Sequence, residues 1–244
     1  MSRIAVLSDI HGNLPALEAV VADARRRGCT DFINLGDILS GPLWPQETAE
    51  FLRPLNWPTI SGNHERQLLT QRPDEMGASD AHADKVIGEV ERAWIGAMPS
   101  ALALSADIFL CHGTVESDLR YLLHDVDEQG VHDASAGDIL LRLAGRAEML
   151  VLCGHTHTAR CVALPNGQRV ANPGSVGLQA YDWDQPFYHI MESGTPDARY
   201  AIVDRDNLDV ELLTVAYDHE LAARKAENEG FDDWAHALRT GRMR

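Results

Sequence analysis

Seven polar side chains of the types that bind divalent metals lie in five short motifs of this chain. Two carboxylates, four histidines and one asparagine make up the set: Asp9, His11, Asp37, Asn63, His112, His155 and His157. Carboxylate, amide and imidazole ligands together suit Mn²⁺, Fe, Zn²⁺, Co²⁺ or Ni²⁺, whereas Ca²⁺ and Mg²⁺ take mostly oxygen ligands. The residue types therefore indicate a transition-metal site that needs no cysteine.

Each motif follows a short apolar run, which is the pattern of a buried strand. The runs are residues 4–7, 32–35, 59–60, 108–110 and 149–152. Because open α/β sheets bind ligands beyond the carboxyl ends of their strands, we expect all five motifs to meet in one crevice. His11 and Asp37 are 26 positions apart, as are Asp37 and Asn63, and this equal spacing predicts two adjacent βαβ units. A single motif of this kind is more often a helix cap beside a surface histidine, so the prediction depends on the repetition.

The five motifs read DIH, GD, GNHE, CHG and GHTH in chain order. This order resembles the signature of the calcineurin-like metallophosphoesterase superfamily, which is D-x-H, G-D, G-N-H-[DE], an isolated His and G-H-x-H. The resemblance spans roughly residues 2–177. SDIHGN at residues 8–13 and NPGSVG at residues 172–177 resemble the compact bacterial and archaeal phosphodiesterase branch, which also contains a eukaryotic retromer subunit.

The resemblance implies two metal ions that share one carboxylate. The first ion would bind Asp9, His11, Asp37 and His157, and the second would bind Asp37, Asn63, His112 and His155. Two such ions about 3.5–4 Å apart can deprotonate a shared water and clamp the phosphoryl oxygens. The implied reaction is phosphodiester hydrolysis by attack of a hydroxide that bridges the metals. Manganese is the expected metal, and Fe, Zn, Ni or Co stay open.

His64 directly follows Asn63 and stands outside the implied ligand set. From that position it could protonate the leaving alkoxide or stabilise the phosphoryl charge as an imidazolium, so His64 and Asp37 are the expected catalytic residues. Glu65 has two interpretations, a structural cap or the partner that orients His64. In the related protein phosphatases an Asp three positions after the bridging carboxylate orients this histidine. Ser40 stands there in this chain, which weakens the protein-phosphatase interpretation.

Three residues are candidates for substrate binding. Asn13 precedes an apolar stripe and is predicted to be the N-cap of the first helix, although a phosphate contact there is compatible with that role. The aromatic run at residues 181–189 forms either a satellite core under a loop or a stacking wall for a base or aryl group, with Trp183 and Tyr188 as contacts. In the family, the NPGS loop before this run often continues into a basic residue, and none follows here. The substrate therefore stays open.

The alternation of strands with helical stripes predicts one α/β domain over residues 1–244, long enough to bury a large core. The resemblance implies a four-layer α/β/β/α sandwich with two facing mixed sheets. A rim or cap insertion is expected near residues 178–197, and a C-terminal helical segment near residues 218–239. The polar stretches at residues 73–85 and 124–137 are also expected to rim the site.

A net charge of −16 argues against an extended nucleic-acid surface, since such binding depends on Lys and Arg that neutralise phosphates. The expected partner is a small phosphate ester, which could be a nucleotide. The chain shows no signal-peptide pattern and no apolar run of membrane-spanning length, so we expect a cytoplasmic protein without a membrane partner. Four cysteines without zinc or disulfide spacing agree with this expectation. The oligomeric state stays open.

Three functions are compatible with the sequence. Phosphodiester hydrolysis comes first, and phosphomonoesterase or dinucleoside polyphosphate hydrolase activity is the enzymatic alternative. A non-catalytic metal-binding scaffold, as in the retromer relative, is the alternative outside enzymes. That relative lacks the leaving-group histidine, whereas this chain keeps His64 and fills every implied ligand position.

Overall fold

The structure is a computed structural model that describes residues 3–244. Within this range the helices are α1 Leu14–Arg26, α2 Pro45–Leu52, α3 Asn63–Thr70, α4 Ala78–Val86, α5 Glu89–Gly96, α6 Ala136–Arg142, α7 His219–Asn228 and α8 Asp232–Thr240. The strands are β1 Arg3–Leu7, β2 Asp31–Asn34, β3 Ala101–Ala103, β4 Ile108–Cys111, β5 His124–Asp127, β6 Gly130–Asp133, β7 Leu150–Leu152, β8 Arg160–Ala163, β9 Arg169–Asn172, β10 Ala180–Trp183, β11 His189–Glu192, β12 Ala198–Asp204 and β13 Val210–Val215. No helix in the described range is both long and apolar enough to cross a membrane.

Two mixed sheets form the centre of the molecule. Sheet A has the order β13-β12-β1-β2, with β1 parallel to β2 and antiparallel to β12. Sheet B has the order β3-β4-β7-β9-β8, and its three central strands are parallel. Two antiparallel hairpins, β5-β6 and β10-β11, lie outside these sheets. The parallel strands bring the residues that follow them to common edges of the two sheets.

The alternation of side chains along the strands builds four layers. In β1, Ile4 and Val6 belong to the apolar cluster between the two sheets, whereas Ala5 and Leu7 pack with the helices on the other face of sheet A. A third cluster packs the outer face of sheet B against α6. Strands buried on both faces explain the nearly continuous apolar runs of the sequence. The order helix, sheet, sheet, helix is the four-layer sandwich that was predicted.

The first βαβ unit follows directly from local sequence. The side chain of Asn13 accepts a hydrogen bond from the backbone N–H of Ala16 at 3.2 Å and caps α1. Leu17, Val20 and Ala24 recur at helical spacing and bury one face of α1 on sheet A. Because β1 and β2 are parallel, the residues after each strand reach the same edge of the sheet.

The predicted third strand of this series is only a single β-bridge. Thr59 pairs with Asn34 of β2 through one parallel bridge. Pro58 has no N–H to donate, and the N–H groups of Gly36 and Gly62 donate to the side chains of Asn34 and Glu65, so the ladder cannot extend in either direction. The bridge is nevertheless enough to place Asn63, at the start of α3, beside the end of β2.

Helices α7 and α8 form a helical hairpin that packs against Leu43, which lies just before α2. Small side chains line the contact and let the two helices approach closely: Ala222, Ala223, Ala226 and Ala235 cluster with Leu43 and Leu238. A separate cluster joins Ala237 of α8 to Leu178 and Ala180 at the start of the β10-β11 hairpin. The C-terminal helices therefore lie against the edge where the motifs meet.

Tyr200 of β12 provides a test of the packing between sheet A and α1. Its ring is fully buried, and its hydroxyl donates to Oδ2 of Asp23 at 2.7 Å. Burial raises the pKa of Asp23, but hydrogen bonds from Tyr200, Arg27 and Arg26 lower it below its usual value. The Asp23 carboxylate is therefore charged and depends on these donors.

We expect Tyr200→Phe to lower the free energy of unfolding by about 1.5 kcal/mol, the lower end for a hydrogen bond to a charged group, because the two arginines remain. Urea unfolding followed by circular dichroism measures this change. Tyr188→Phe is the matched control, since Tyr188 is 62% exposed and should show no difference. Equal stability of both variants would contradict a stabilising role for the buried hydroxyl.

Candidate dinuclear metal centre

The motif residues come together where the two sheets meet at their carboxyl ends. Potential ligand atoms of Asp9, His11 and His157 lie within 4.8 Å of one another. Those of Asp37, His112 and His155 form a second group by the same criterion. The loops after β1 and β2 of sheet A and after β4 and β7 of sheet B supply both groups. The two groups contain six of the seven predicted ligands, with Asp37 in the second group, and Asn63 belongs to neither.

Five of the seven predicted ligands have a left-handed backbone. Their φ values are 55° at Asp9, 52° at His11, 55° at Asp37, 68° at His155 and 56° at His157. This conformation costs L-residues about 1–2 kcal/mol each, so the surrounding structure must hold it. Hydrogen bonds between the ligand loops do so: the N–H of Asp9 donates to the Gly36 carbonyl, and that of His11 to the Asp37 carbonyl, both at 3.0 Å.

The NPGSVG turn holds the ligand loops from behind. The side-chain amide of Asn172 donates to the carbonyl of Gly154 at 2.5 Å, which fixes the loop after β7. The hydroxyl of Ser175 and the N–H of Gly177 donate to the carbonyl of Asp9 at 2.8 and 2.9 Å. A Cβ at Gly177 would collide with the carbonyl of Ile10, so only glycine allows this approach.

Backbone carbonyls fix the tautomers of the four histidines. In three of them Nδ1 contacts a carbonyl oxygen: His11 with Ser40 at 2.8 Å, His112 with Leu35 at 2.7 Å and His157 with Leu178 at 2.7 Å. A carbonyl only accepts, so each Nδ1 carries the proton and each Nε2 presents a lone pair. His155 is reversed, because its Nε2 donates to the carbonyl of Leu119 at 3.1 Å and leaves Nδ1 as the ligand atom.

These lone pairs face one another at short distances. Nε2 of His11 lies 3.1 Å from Nε2 of His157, and neither nitrogen has a proton to share when both rings are neutral. Nε2 of His112 lies 2.9 Å from Oδ2 of Asp37 in the second group, where either a proton on His112 or a metal cation joins the two atoms. Opposed acceptors repel each other unless a cation lies between them. The geometry therefore fits one positive ion in each group.

Orphaned atoms and two glycines support the same conclusion. In the described part of the chain, Oδ2 of Asp9 and Oδ1 of Asn63 are buried without a hydrogen-bond partner. These two atoms are among the ten buried side-chain atoms of the described residues without a partner, and both belong to predicted ligands. A Cβ at Gly62 would collide with Oδ1 of Asp37, and one at Gly154 would lie 3.1 Å from Oδ2 of Asp9. The residues present fit a dinuclear metal centre.

The pKa values of the histidines show where protons compete with metal ions for the ligand nitrogens. Burial lowers the pKa of His11 and of His155 to about 3, so both rings are neutral and can bind a metal. Burial also disfavours protonation of His112, but the carboxylates of Asp37 and Asp9 raise its pKa to about 10. A histidine binds a metal only after it loses its proton. Metal binding therefore displaces a proton from His112.

Glu65 is a structural cap. Its fully buried carboxylate accepts hydrogen bonds from the backbone N–H groups of Asp37, Ile38 and Gly62, each at 2.8 Å. These contacts connect the loop after β2 to the start of α3 in the manner of a capping box. Of the two interpretations of Glu65, the hydrogen bonds support the cap.

His64 takes its partner from another element. Its Nδ1 lies 2.8 Å from Oδ1 of Asp80, a residue of α4 that is only 2% exposed. Burial lowers the pKa of His64, but the carboxylates of Asp37 and Asp80 raise it to about 9. The ring is therefore protonated at neutral pH, and because Nδ1–H donates to Asp80, Nε2–H is free to donate elsewhere. The sequence predicted only a polar rim around this position and missed the role of Asp80.

A cleft of about 1070 Å³ opens over the ligands. His64 and five of the predicted ligands line its floor, while Asp9 and His112 lie behind them. Parts of all three predicted rims line its walls, at residues 75–80, 124–126 and 180–186. A fourth wall comes from residues 230–244, which the sequence did not predict to reach the site.

Of the three predicted substrate contacts, only Trp183 lines the cleft. Tyr188 is exposed in the turn of the β10-β11 hairpin and is not part of the lining. Asn13 is fully buried, and its side-chain amide donates to the carbonyl of Gly177 and to the hydroxyl of Tyr217. The position of Asn13 supports the N-cap interpretation and leaves no surface for a substrate.

The inner face of the same hairpin supports the ligand loop after β7. The hydroxyl of Tyr181 lies 3.0 Å from the carbonyl of His155, to which it can donate, and 2.7 Å from the hydroxyl of Tyr121. Tyr121 in turn donates to Nε2 of His189, whose Nδ1 donates to the carbonyl of Phe187 at 2.7 Å. Within the aromatic run, Tyr181 and His189 therefore support the ligand loop, whereas Trp183 lines the cleft.

Comparison with known proteins identifies the family. Residues 2–172 match the model of the calcineurin-like phosphoesterases. The chain belongs to this family. Its members are metal-dependent phosphoesterases, in agreement with the two groups of buried ligands.

The similarity to individual relatives extends along the whole chain. An uncharacterised protein of Methanocaldococcus jannaschii is 27% identical over 249 residues, which cover 96% of this chain and 95% of that protein. The crystal structure of a metallophosphoesterase from Sphaerobacter thermophilus has a TM-score of 0.75 at 23% identity and covers 97% of this chain and 98% of its own. A hypothetical protein from Pyrococcus horikoshii OT3 has a TM-score of 0.77 at 19% identity over 100% of both chains. At these identities the two structures establish the shared fold.

Asp37→Asn tests the shared carboxylate. The substitution removes the negative charge beside His112. We expect the variant to bind at least one metal ion per chain fewer than the unmodified protein, as measured by inductively coupled plasma mass spectrometry. The fold should persist, because the bond from Asp37 N–H to Glu65 is unchanged. Ser40→Ala is the control, since it keeps the carbonyl that fixes His11 and should bind as much metal as the unmodified chain. Full metal content in Asp37→Asn would contradict a bridging role.

Proposed function

We propose that this chain is a dinuclear-metal phosphodiesterase, with manganese as the expected metal and the seven motif residues as ligands. The observation that carries the proposal is the contact of His64 Nδ1 with the buried carboxylate of Asp80 at 2.8 Å, beside two groups of buried potential ligands. A general acid is needed most when the leaving group is a poorly stabilised alkoxide. Phosphodiesters of ordinary alcohols have such leaving groups.

Two bound ions would activate a water molecule and offset the charge of the phosphoryl oxygens. The chain itself supplies the acid and its position. The ring of His64 lies 5.4 Å from the ring of His11, so the acid is next to the first ligand group. The backbone N–H of His64 donates to Oδ1 of Asp37 at 3.0 Å, which couples the acid to the shared carboxylate. Nε2 of His64 would then donate its proton to the leaving oxygen.

Charges along the cleft favour a substrate with one phosphate group. Three arginines line the cleft, and two of them are paired, Arg142 with Asp125 and Arg244 with Asp233. Arg120 is the one lining arginine without an ion pair among the described residues. A polyphosphate chain would bring several negative charges that these side chains could not neutralise. We therefore favour a diester over a dinucleoside polyphosphate.

The size of the cleft favours a diester over a small monoester. At about 1070 Å³ it matches the upper end of small-molecule sites, which run from about 300 to 1000 Å³. A monoester would fill only the region next to the ligands. The remaining volume is suited to an organic substituent on the phosphate. The scaffold alternative explains neither this volume nor the pairing of His64 with the buried Asp80.

Paired substrates test the acid. In the metal-loaded enzyme we expect His64→Ala to lose about 10²–10⁴-fold in kcat on a dialkyl phosphodiester and far less on bis(p-nitrophenyl) phosphate, whose leaving group needs no proton. Asp80→Asn should show the same pattern with a smaller loss, because it weakens the position and charge of His64. Metal content should not change in either variant.

Asp84→Asn is the matched control, since Asp84 lies one turn along α4 and pairs with Arg92 instead. It should leave the rates on both substrates unchanged. Equal losses on both substrates in His64→Ala would indicate electrostatic support of the phosphoryl oxygens rather than proton donation. If the metal-loaded unmodified enzyme hydrolyses no diester, the proposed function is wrong.

A further inference from the structure

The wall formed by residues 230–244 differs from the rest of the cleft. It combines an apolar part, made by Phe231, Trp234, Ala237 and Met243, with the charged side chains of Asp232, Asp233 and Arg244, and it lies beside the first ligand group. Trp234 is central to this wall, because it packs with two apolar clusters, one under the α7-α8 hairpin and one under the β10-β11 hairpin. The position of its indole is therefore fixed from two sides.

The indole of Trp234 lies close to the reacting centre. Its ring is 5.8 Å from the ring of His11 in an edge-to-face arrangement with an interplanar angle of 81°. A Cβ at Gly41 would lie 2.8 Å from Cη2 of the indole, so the absence of a side chain at Gly41 lets the ring rest on the loop after β2. The ring stays partly exposed and lines the cleft.

We propose that Trp234 is a stacking subsite for the nucleobase of a nucleotide phosphodiester. The proposal rests on the phosphodiesterase function above and names the class of its substrate. A nucleobase is uncharged and adds no negative charge to an acidic cleft, while its flat face matches an indole held edge-on by its neighbours. Asp232 and Gln185 also line the cleft and offer oxygen acceptors for the amino groups of a base.

The surroundings of Trp234 favour a flat group over a cation. Quaternary ammonium groups are recognised by cages of several aromatic rings. Among the described residues, the ring that packs edge-to-face against Trp234 is that of His11, a metal ligand, while Phe231 and Trp183 line the same cleft without a ring contact to the indole. A single indole face is suited to stacking. The test must therefore distinguish binding of a nucleobase from binding of a choline ester.

The binding of three phosphate compounds to the metal-loaded enzyme, measured by isothermal titration calorimetry, tests this subsite. AMP carries a base, ribose 5-phosphate lacks it, and phosphocholine carries a cation instead. We expect AMP to bind roughly tenfold more tightly than ribose 5-phosphate, as base stacking on an aromatic side chain supports. Phosphocholine should bind no better than ribose 5-phosphate.

Two substitutions at Trp234 separate stacking from packing. Trp234→Leu keeps an apolar side chain without an aromatic face, and its AMP affinity should fall to that of ribose 5-phosphate while the ribose 5-phosphate affinity changes less than about twofold. Trp234→Phe keeps a smaller aromatic face and should retain a clear preference for AMP. Thermal unfolding checks that both variants are folded, and the Phe variant decides the question if the Leu variant is not.

Trp183→Leu, on the opposite hairpin, is the control that distinguishes this subsite from the aromatic wall expected from the sequence. It should keep the AMP preference. Loss of the preference in Trp183→Leu instead of the Trp234 variants, or tighter binding of phosphocholine than of AMP, would overturn the inference. Diester hydrolysis without any base preference would also overturn it and leave the proposed function standing. Absence of both hydrolysis and phosphate binding would refute the proposed function itself.

Discussion

The site depends on ligand loops whose backbones are held in a left-handed conformation by hydrogen bonds to one another. Asp9 shows how closely the constraint is built: its N–H donates to the loop after β2, and its carbonyl accepts from both Ser175 and Gly177. The carboxylate of Glu65 fixes the backbone around Asp37, because it accepts hydrogen bonds from three backbone N–H groups. A conformation that costs about 1–2 kcal/mol per residue persists because neighbouring elements leave no alternative. Both sheets therefore contribute to the position of each ligand group.

The same constraint explains why the centre fits cations so well. The tautomers of His11 and His157 are fixed by carbonyls, and the loops cannot relax to separate their facing lone pairs. Such a site is unfavourable without positive charge, which protons on His112 supply only in part. Bound metal ions would relieve this repulsion and stabilise the fold by mass action. The strain of the loops and the fit of the site to cations thus have one cause.

Residues fixed by local motifs could be predicted, and residues that depend on long-range packing could not. Asp9, His11 and Asp37 follow strands directly, so strand order alone brings them together. Asp80 lies on a helix with no motif, and only the packing of α4 brings it to His64. The contribution of Trp234 depends on α8 folding back over the cleft, more than 200 positions after His11 in the chain. The third predicted strand is only one bridge, because Pro58 ends the pairing on one side and the side-chain partners of the Gly36 and Gly62 N–H groups end it on the other.

The number and position of the metal ions bound by the unmodified chain test this account most directly. Crystals grown with Mn²⁺ and measured on both sides of the manganese absorption edge give these positions from anomalous diffraction. We expect two anomalous peaks per chain about 3.5–4 Å apart, one at Asp9, His11 and His157 and the other at Asn63, His112 and His155, with Asp37 between them. A single peak, or a second ion that does not contact Asp37, would contradict the shared dinuclear centre.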